Sequence, residues 1–154
     1  MIRLAITEDL TTIRQLVDAA YQHWFARTGR VPGPLRDDYA QRLADAQLWV
    51  LEIDDEVVGL VVLVEQSDHL LLENVAVRPD AQERGYGRQL IAFAEQEAVR
   101  RGFAALHLCT NVRMTENVAL YQHLGFTEVG RICGAAYERI CLGKRTLPET
   151  TTAP

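Results

Sequence analysis

The run Gln82-Glu83-Arg84-Gly85-Tyr86-Gly87-Arg88 holds the residues best placed to do chemistry. It follows an apolar stretch, Val75-Ala76-Val77, and precedes a helical repeat, so its two glycines stand where a strand gives way to a helix. Glycine at such a place lets the backbone approach a ligand and leaves the amides of the first helical turn uncovered. Those amides, at the positive end of the helix dipole, form an anion site suited to a pyrophosphate. Arg84 and Arg88 can add charge-assisted contacts to phosphate oxygens. Two other phosphate-binding patterns fail on this chain. The dinucleotide fingerprint wants a third glycine, which is missing, and the P-loop wants Gly-Lys-Ser/Thr, which occurs nowhere. Cys109, Cys133 and Cys141 are an odd number without Cys-x-x-Cys spacing or paired histidines nearby. That argues against a disulfide framework and a zinc site, and predicts free thiols buried in strands with no metal.

The elements that must position this loop follow from periodicity. Residues 2–6 read as a first strand, and Thr7 as an N-cap with Glu8 and Asp9 in the first turn. Leu10, Ile13, Leu16, Val17, Ala20, Tyr21 and Trp24 recur at helical spacing, giving a helix to about Arg27 that the glycines and prolines of 29–34 end. A second helix is predicted over 35–46. Strands over 48–53 and 57–64 flank Asp54-Asp55-Glu56 as an antiparallel hairpin, and the almost wholly apolar run 70–77 reads as the centre of the sheet. A helix over 87–101 ends at Gly102, a strand covers 104–110, and Thr115 caps a helix that Gly125 closes. A last hairpin pairs 126–131 with 136–142. The order β-α-α-β-β-β-α-β-α-β-β predicts one α/β (α+β) domain over 1–143, its sheet covered by helices on both faces, and a polar tail over 144–154.

The loop and a second motif together resemble a known family. Gln82-Glu83-Arg84-Gly85-Tyr86-Gly87 fits the Gln/Arg-x-x-Gly-x-Gly/Ala signature of the GNAT N-acetyltransferase superfamily, between the fourth strand and the third helix. Asn117-Val118-Ala119-Leu120-Tyr121-Gln122-His123-Leu124-Gly125-Phe126 is similar to the family's second signature, and the order of elements agrees over 2–142. The resemblance implies a mixed, mostly antiparallel twisted sheet and an acyltransferase that uses acetyl-CoA. Backbone N–H groups of 84–88 would hold the pyrophosphate, and Val75, Ala76 and Val77 would pair with the pantetheine arm as an added strand. The strands containing Val77 and Leu106 would splay apart around the thioester, with Asn117 on the pantetheine. Tyr121 would protonate the departing thiolate, and the Val75 N–H would steady the oxyanion. Glu73 is the first candidate base, on the face of Val75 and Val77 by strand alternation, although many relatives place a glutamate where Leu71 stands. His69 is the second. Arg30, Tyr39, Asn74 and Asn111 are expected to recognise the acceptor, a primary amine of a small molecule or peptide, while Trp24 and Trp49 are read as core.

Composition bounds the rest. The chain has 154 residues, 48% hydrophobic and 24% charged, which suits a globular domain with one full core. A net charge of −5 gives no basic face for nucleic acid. No apolar run is long enough for a membrane span, and the first residues lack a signal-peptide pattern, so the cytoplasm is the expected address. A module that binds acetyl-CoA without turnover is the alternative reading, and a homodimer is compatible with the family.

Overall fold

Strands whose residues alternate between two buried faces need a helical layer on each side, and the chain supplies both. The computed structural model describes residues 1–28, 33–134 and 138–146. The strands are β1 (Ile2–Leu4), β2 (Leu48–Ile53), β3 (Glu56–Glu65), β4 (Leu70–Val77), β5 (Ala105–Asn111), β6 (Thr127–Cys133) and β7 (Glu138–Arg145). The helices are α1 (Leu10–Thr28), α2 (Gly33–Arg36), α3 (Tyr39–Ala44), α4 (Tyr86–Arg100) and α5 (Thr115–His123). The seven strands form one sheet in the order β1-β2-β3-β4-β5-β7-β6. Every pairing is antiparallel except β4 with β5, whose connection runs through α4, the helical crossover that parallel neighbours require.

Strand β3 shows how the two cores divide. Leu60 and Val62 pack with Ile13, Leu16 and Val17 of α1, whereas Val61 and Leu63 pack with Leu90, Ile91 and Ala94 of α4. None of these side chains is more than 3% exposed, and burying a large apolar side chain of this kind stabilises by roughly 1.5–3 kcal/mol. Tyr121 of α5 and Phe126 join the α4 side, their rings edge to face at 5.9 Å. No helix among the described residues is long and apolar enough to cross a membrane.

Several local expectations change. The helix predicted over 35–46 is two pieces, α2 and α3, interrupted at Asp37 and Asp38 because the Asp38 carboxylate caps α3 by accepting the Gln41 N–H at 3.1 Å. Thr7 does not cap α1. Residues 7–9 form a 3₁₀ turn, and Asp9 accepts the Ile6 N–H at 2.9 Å while its other contacts go to Arg3. Thr115 is the first residue of α5, which has no side-chain cap. Strand β7 runs to Arg145, where Thr146 N–H meets the Ala104 carbonyl at 2.9 Å. The expected start of that strand at Ala136, the helix stop at 29–32 and the tail from 147 lie outside the described residues.

The cysteine reading is overturned. Cys109 of β5 and Cys141 of β7 are direct partners in the ladder, their Cα atoms 4.1 Å apart, and their sulfurs are bonded; Cys133 is exposed. Spacing along the chain shows nothing of this, because strand pairing sets two residues face to face whatever their sequence separation.

Candidate functional site

Pairing between β4 and β5 is brief. It comprises Leu70 opposite Leu106 and Leu71 opposite His107, after which β4 continues to Val77 and β5 to Asn111 without further pairing, as the family resemblance implied. The register of β4 against β3 also slips, from Leu72 opposite Leu63 to Asn74 opposite Val62, so Glu73 is the extra residue of a β-bulge. The alternation used to place Glu73 with Val75 and Val77 therefore breaks at Glu73 itself. Beyond the bulge, Asn74 turns to α1, and the Val75 carbonyl points out of the β3 ladder.

Two cavities occupy the fork. One of about 470 Å³ is lined by Tyr21, Arg36, Glu73, Asn74, Asn111 and Arg139, among others. The second, about 360 Å³, runs along Val75, Ala76 and Val77 to Gln82, Gly85 and Arg88 at the start of α4. Tyr21, Val75, Asn117 and Tyr121 line both, so the cavities meet there.

The second cavity ends at a cradle of free amides. Gly85 sits at φ +83°, a conformation that suits glycine, and Glu83 takes φ +65° without that freedom. The helix has no side-chain cap at Gly85, and the first N–H there with an acceptor is that of Gln89, to the Gly85 carbonyl at 3.1 Å. A Cβ at Gly87 would lie 3.9 Å from Val77, so strand and helix start are nearly in contact. Gln82 braces the loop through its Nε2, which donates to the Val77 carbonyl at 3.1 Å. Glu83, Tyr86, Gly87 and Arg88 line this cavity, whereas the Arg84 side chain does not. Unpaired strand edge, exposed helix amides and nearby guanidiniums match a long ligand with a pyrophosphate at one end.

At the junction Tyr121 is 8% exposed, and its hydroxyl has no hydrogen-bond partner among the described residues. Tyr121 lines both cavities and so borders their junction. Burial pushes its pKa up to about 12, which keeps the proton on the oxygen. Beside it the Tyr21 hydroxyl lies 2.5 Å from Asn74 Oδ1 and 2.8 Å from the Val75 carbonyl. Asn74 Nδ2 donates to the Tyr39 hydroxyl at 3.1 Å, which donates to the Pro34 carbonyl at 2.6 Å. This chain of bonds ties the segment before α3 to the bulge. Burial is the main reason that both Tyr21 and Tyr39 hold their protons well above the usual phenol range.

The expected site residues are thus mostly gathered. Glu73, Asn74, Asn111 and Asn117 line the larger cavity with Tyr121. Asn111 Oδ1 is occupied by the Arg113 N–H at 2.9 Å, and Asn117 Nδ2 approaches Met114 Sδ at 3.8 Å. Tyr39 is buried behind the wall, and Arg30 lies outside the described residues. His69 lines neither cavity. It stacks on His107 with centroids 4.0 Å apart and holds Asp68 through Nδ1 at 2.7 Å. Tyr21, Arg36 and Arg139 were not singled out from sequence. Tyr21 is one more apolar position in a helical repeat, and nothing in the spacing of the two arginines marks a pocket. Trp24 is 8% exposed yet borders the second cavity, with the Arg27 guanidinium 5.0 Å from its ring centre.

Residues 10–126 match the Acetyltransferase (GNAT) family. Among sequence relatives, the [Ribosomal protein bS18]-alanine N-acetyltransferase of Salmonella typhimurium is 36% identical over 78 residues, 51% of this chain and 53% of that protein. The uncharacterized N-acetyltransferase YjgM of Escherichia coli is 31% identical over 90 residues, 56% of this chain and 54% of that protein. The matches thus span about half the length of these relatives. The crystal structure of the Escherichia coli ribosomal-protein-S18-alanine N-acetyltransferase superposes with a TM-score of 0.79 at 20% identity, covering 100% of this chain and 98% of that one. The PaiA N-acetyltransferase of Thermoplasma acidophilum, solved with coenzyme A, gives 0.79 at 16% identity over 94% of this chain and 98% of that one. At such identities these two structures speak for the fold. With the family match covering both motifs and the forked sheet between them, the chain belongs to the Acetyltransferase (GNAT) family.

Proposed function

We propose that this protein moves the acetyl group of acetyl-CoA to a primary amine by direct attack, without a covalent enzyme intermediate. The observation that carries the reading is the meeting of the two cavities at Tyr121, a protonated hydroxyl without a hydrogen-bond partner among the described residues, beside a strand edge that β5 has left. Acetyl-CoA supplies an activated acyl group, a thioester whose carbonyl carbon bonds to the amine nitrogen as its bond to sulfur breaks.

The chain's own residues account for the remaining tasks. Amides of 84–88 bind the pyrophosphate, and Val75 to Val77 align the pantetheine arm with Asn117 beside it. The Val75 N–H donates to the carbonyl oxygen as negative charge develops there. Tyr121 gives its hydroxyl proton to the leaving sulfur, and the proton lost by the amine goes to Glu73, directly or through water. Amide and free thiol are the products, with Tyr121 reprotonated at the end of the cycle. The relatives named for a ribosomal protein alanine support an amine acceptor.

Thiol release tests this reading. With acetyl-CoA and an accepted amine, Tyr121→Phe should lower kcat by about a hundredfold or more, the usual worth of a general acid. Acetyl-CoA at a hundred times its dissociation constant should add about 2.7 kcal/mol to stability, and ATP or NAD should not. Full turnover in Tyr121→Phe would remove that residue from the chemistry. Stabilisation without turnover of any amine would favour a binding module instead.

A further inference from the structure

The larger cavity holds charges that acetyl transfer does not use. Many arginines among the described residues are taken up in ion pairs: Arg3 with Asp9 and Glu52, Arg27 with Glu116, Arg42 with Asp37, and Arg78 with Glu56 and Asp80. Arg100 and Arg101 share Glu97, and Arg131 reaches Glu128 and Glu138. Among the described residues, the guanidiniums left without a partner are those of Arg14, Arg36, Arg84, Arg88 and Arg139. A shortage of acids is not the reason, since 21 Asp and Glu face 16 Lys and Arg.

Their placement is selective. Arg84 and Arg88 flank the amide cradle, where the donor's phosphates are proposed to lie. Arg14 is exposed on α1. Arg36 and Arg139 line the larger cavity, one from α2 and the other from β7, where it stands opposite Asn111 of β5. In the same wall Asp37 is neutralised by Arg42 at 3.0 Å, while Glu73 forms no ion pair among the described residues. The cavity thus presents two uncompensated guanidiniums and one uncompensated carboxylate. An acceptor amine alone answers only the carboxylate. Guanidiniums bind carboxylate and phosphoryl oxygens through paired N–H donors, and a cavity of about 470 Å³ is of small-molecule size.

We propose that the acceptor is a small amine that also carries an oxyanion, carboxylate or phosphoryl, held by Arg36 and Arg139 while its nitrogen lies between Glu73 and Tyr121. The inference rests on the acetyltransferase reading above and specifies the acceptor at that same site.

Matched acceptors test it. Thiol release at low salt is followed with β-alanine and its amide, an α-amino acid and its amide, and phosphoethanolamine and ethanolamine. The expected result is a kcat/KM at least about tenfold higher for an oxyanion-bearing member than for its neutral counterpart, roughly 1.4 kcal/mol of discrimination. The better of the carboxylate and phosphoryl arms identifies the oxyanion. In Arg139→Gln and in Arg36→Gln the ratio within the preferred pair should fall by about tenfold, and Arg139→Lys should keep part of it. Arg36 lies on the exposed α2 turn, so its variant serves if Arg139→Gln does not fold.

Neutral members used equally well, or variants that leave the ratio unchanged, would overturn the proposal. So would a protein stabilised by acetyl-CoA that acetylates no member of the panel, with the donor site left standing. A protein neither stabilised by acetyl-CoA nor releasing thiol with any amine would sink the acetyltransferase reading and the acceptor with it.

Discussion

Tyr121, the proposed acid, shows how surroundings set a group's hold on its proton. Its ring is packed against Phe126, its hydroxyl reaches the junction of the cavities, and desolvation holds its pKa up to about 12. A group raised in this way stays protonated while amines, with ordinary pKa values of about 8–10, lose their protons. The rate should therefore rise with pH through the acceptor's own pKa and show no falling limb below about pH 10. A descending limb centred near pH 8 that vanishes in Tyr121→Phe would contradict this assignment. Tyr121 was legible in the sequence because it stands in a run that resembles a family signature. Tyr21 was not, since only the fold brings its hydroxyl to Val75 from 54 residues away.

At the scale of elements, the seating of α4 on β3 decides where the amide cradle lies. Gly59 permits it: a Cβ there would sit 2.9 Å from Leu90 Cδ1 and 3.2 Å from the Ala76 carbonyl oxygen. Leu90 is fully buried and the carbonyl is backbone, so Gly59→Ala should lower stability by about 1–3 kcal/mol. Denaturant unfolding would read this as a lower midpoint, and an unchanged midpoint would show that α4 can shift without loss. The stacked pair His69 and His107 marks the base of the fork. Partial burial first, and then His69, lower the His107 pKa below 6.5, while Asp68 opposes them. Below pH 6.5 the unfolded chain then binds a proton that the folded chain refuses, so stability should fall as pH drops from 6.5 towards the folded value. Asp9 and Glu97 are held below the ordinary carboxylate range, by Arg3 and Arg100 respectively, and titrate beneath that window. Melts between pH 5 and 7.5 should slope in the wild type and flatten in His107→Gln; equal slopes would clear His107 of the effect.

For the whole molecule, the bond between Cys109 and Cys141 ties β5 to β7 beside the larger cavity. Closing a loop with a sequence separation of 32 is worth about 3–4 kcal/mol in the chain-entropy account. Oxidised protein should melt higher than reduced protein, and Cys141→Ser should abolish the difference. Identical melts would mean that ladder pairing alone holds these strands. The sequence by itself determined the order of strands and of the main helices, the glycine loop and the apolar faces of α1 and α4, because each is written in local spacing and in the period of helix or strand, and it marked Tyr121 through a family resemblance. Only the tertiary structure decided the bulge at Glu73, the pairing of Cys109 with Cys141, and the meeting of Arg36, Arg139 and Tyr21 around one cavity. Those depend on strand register and on contacts between distant segments, and a one-residue slip in register redirects every side chain beyond it.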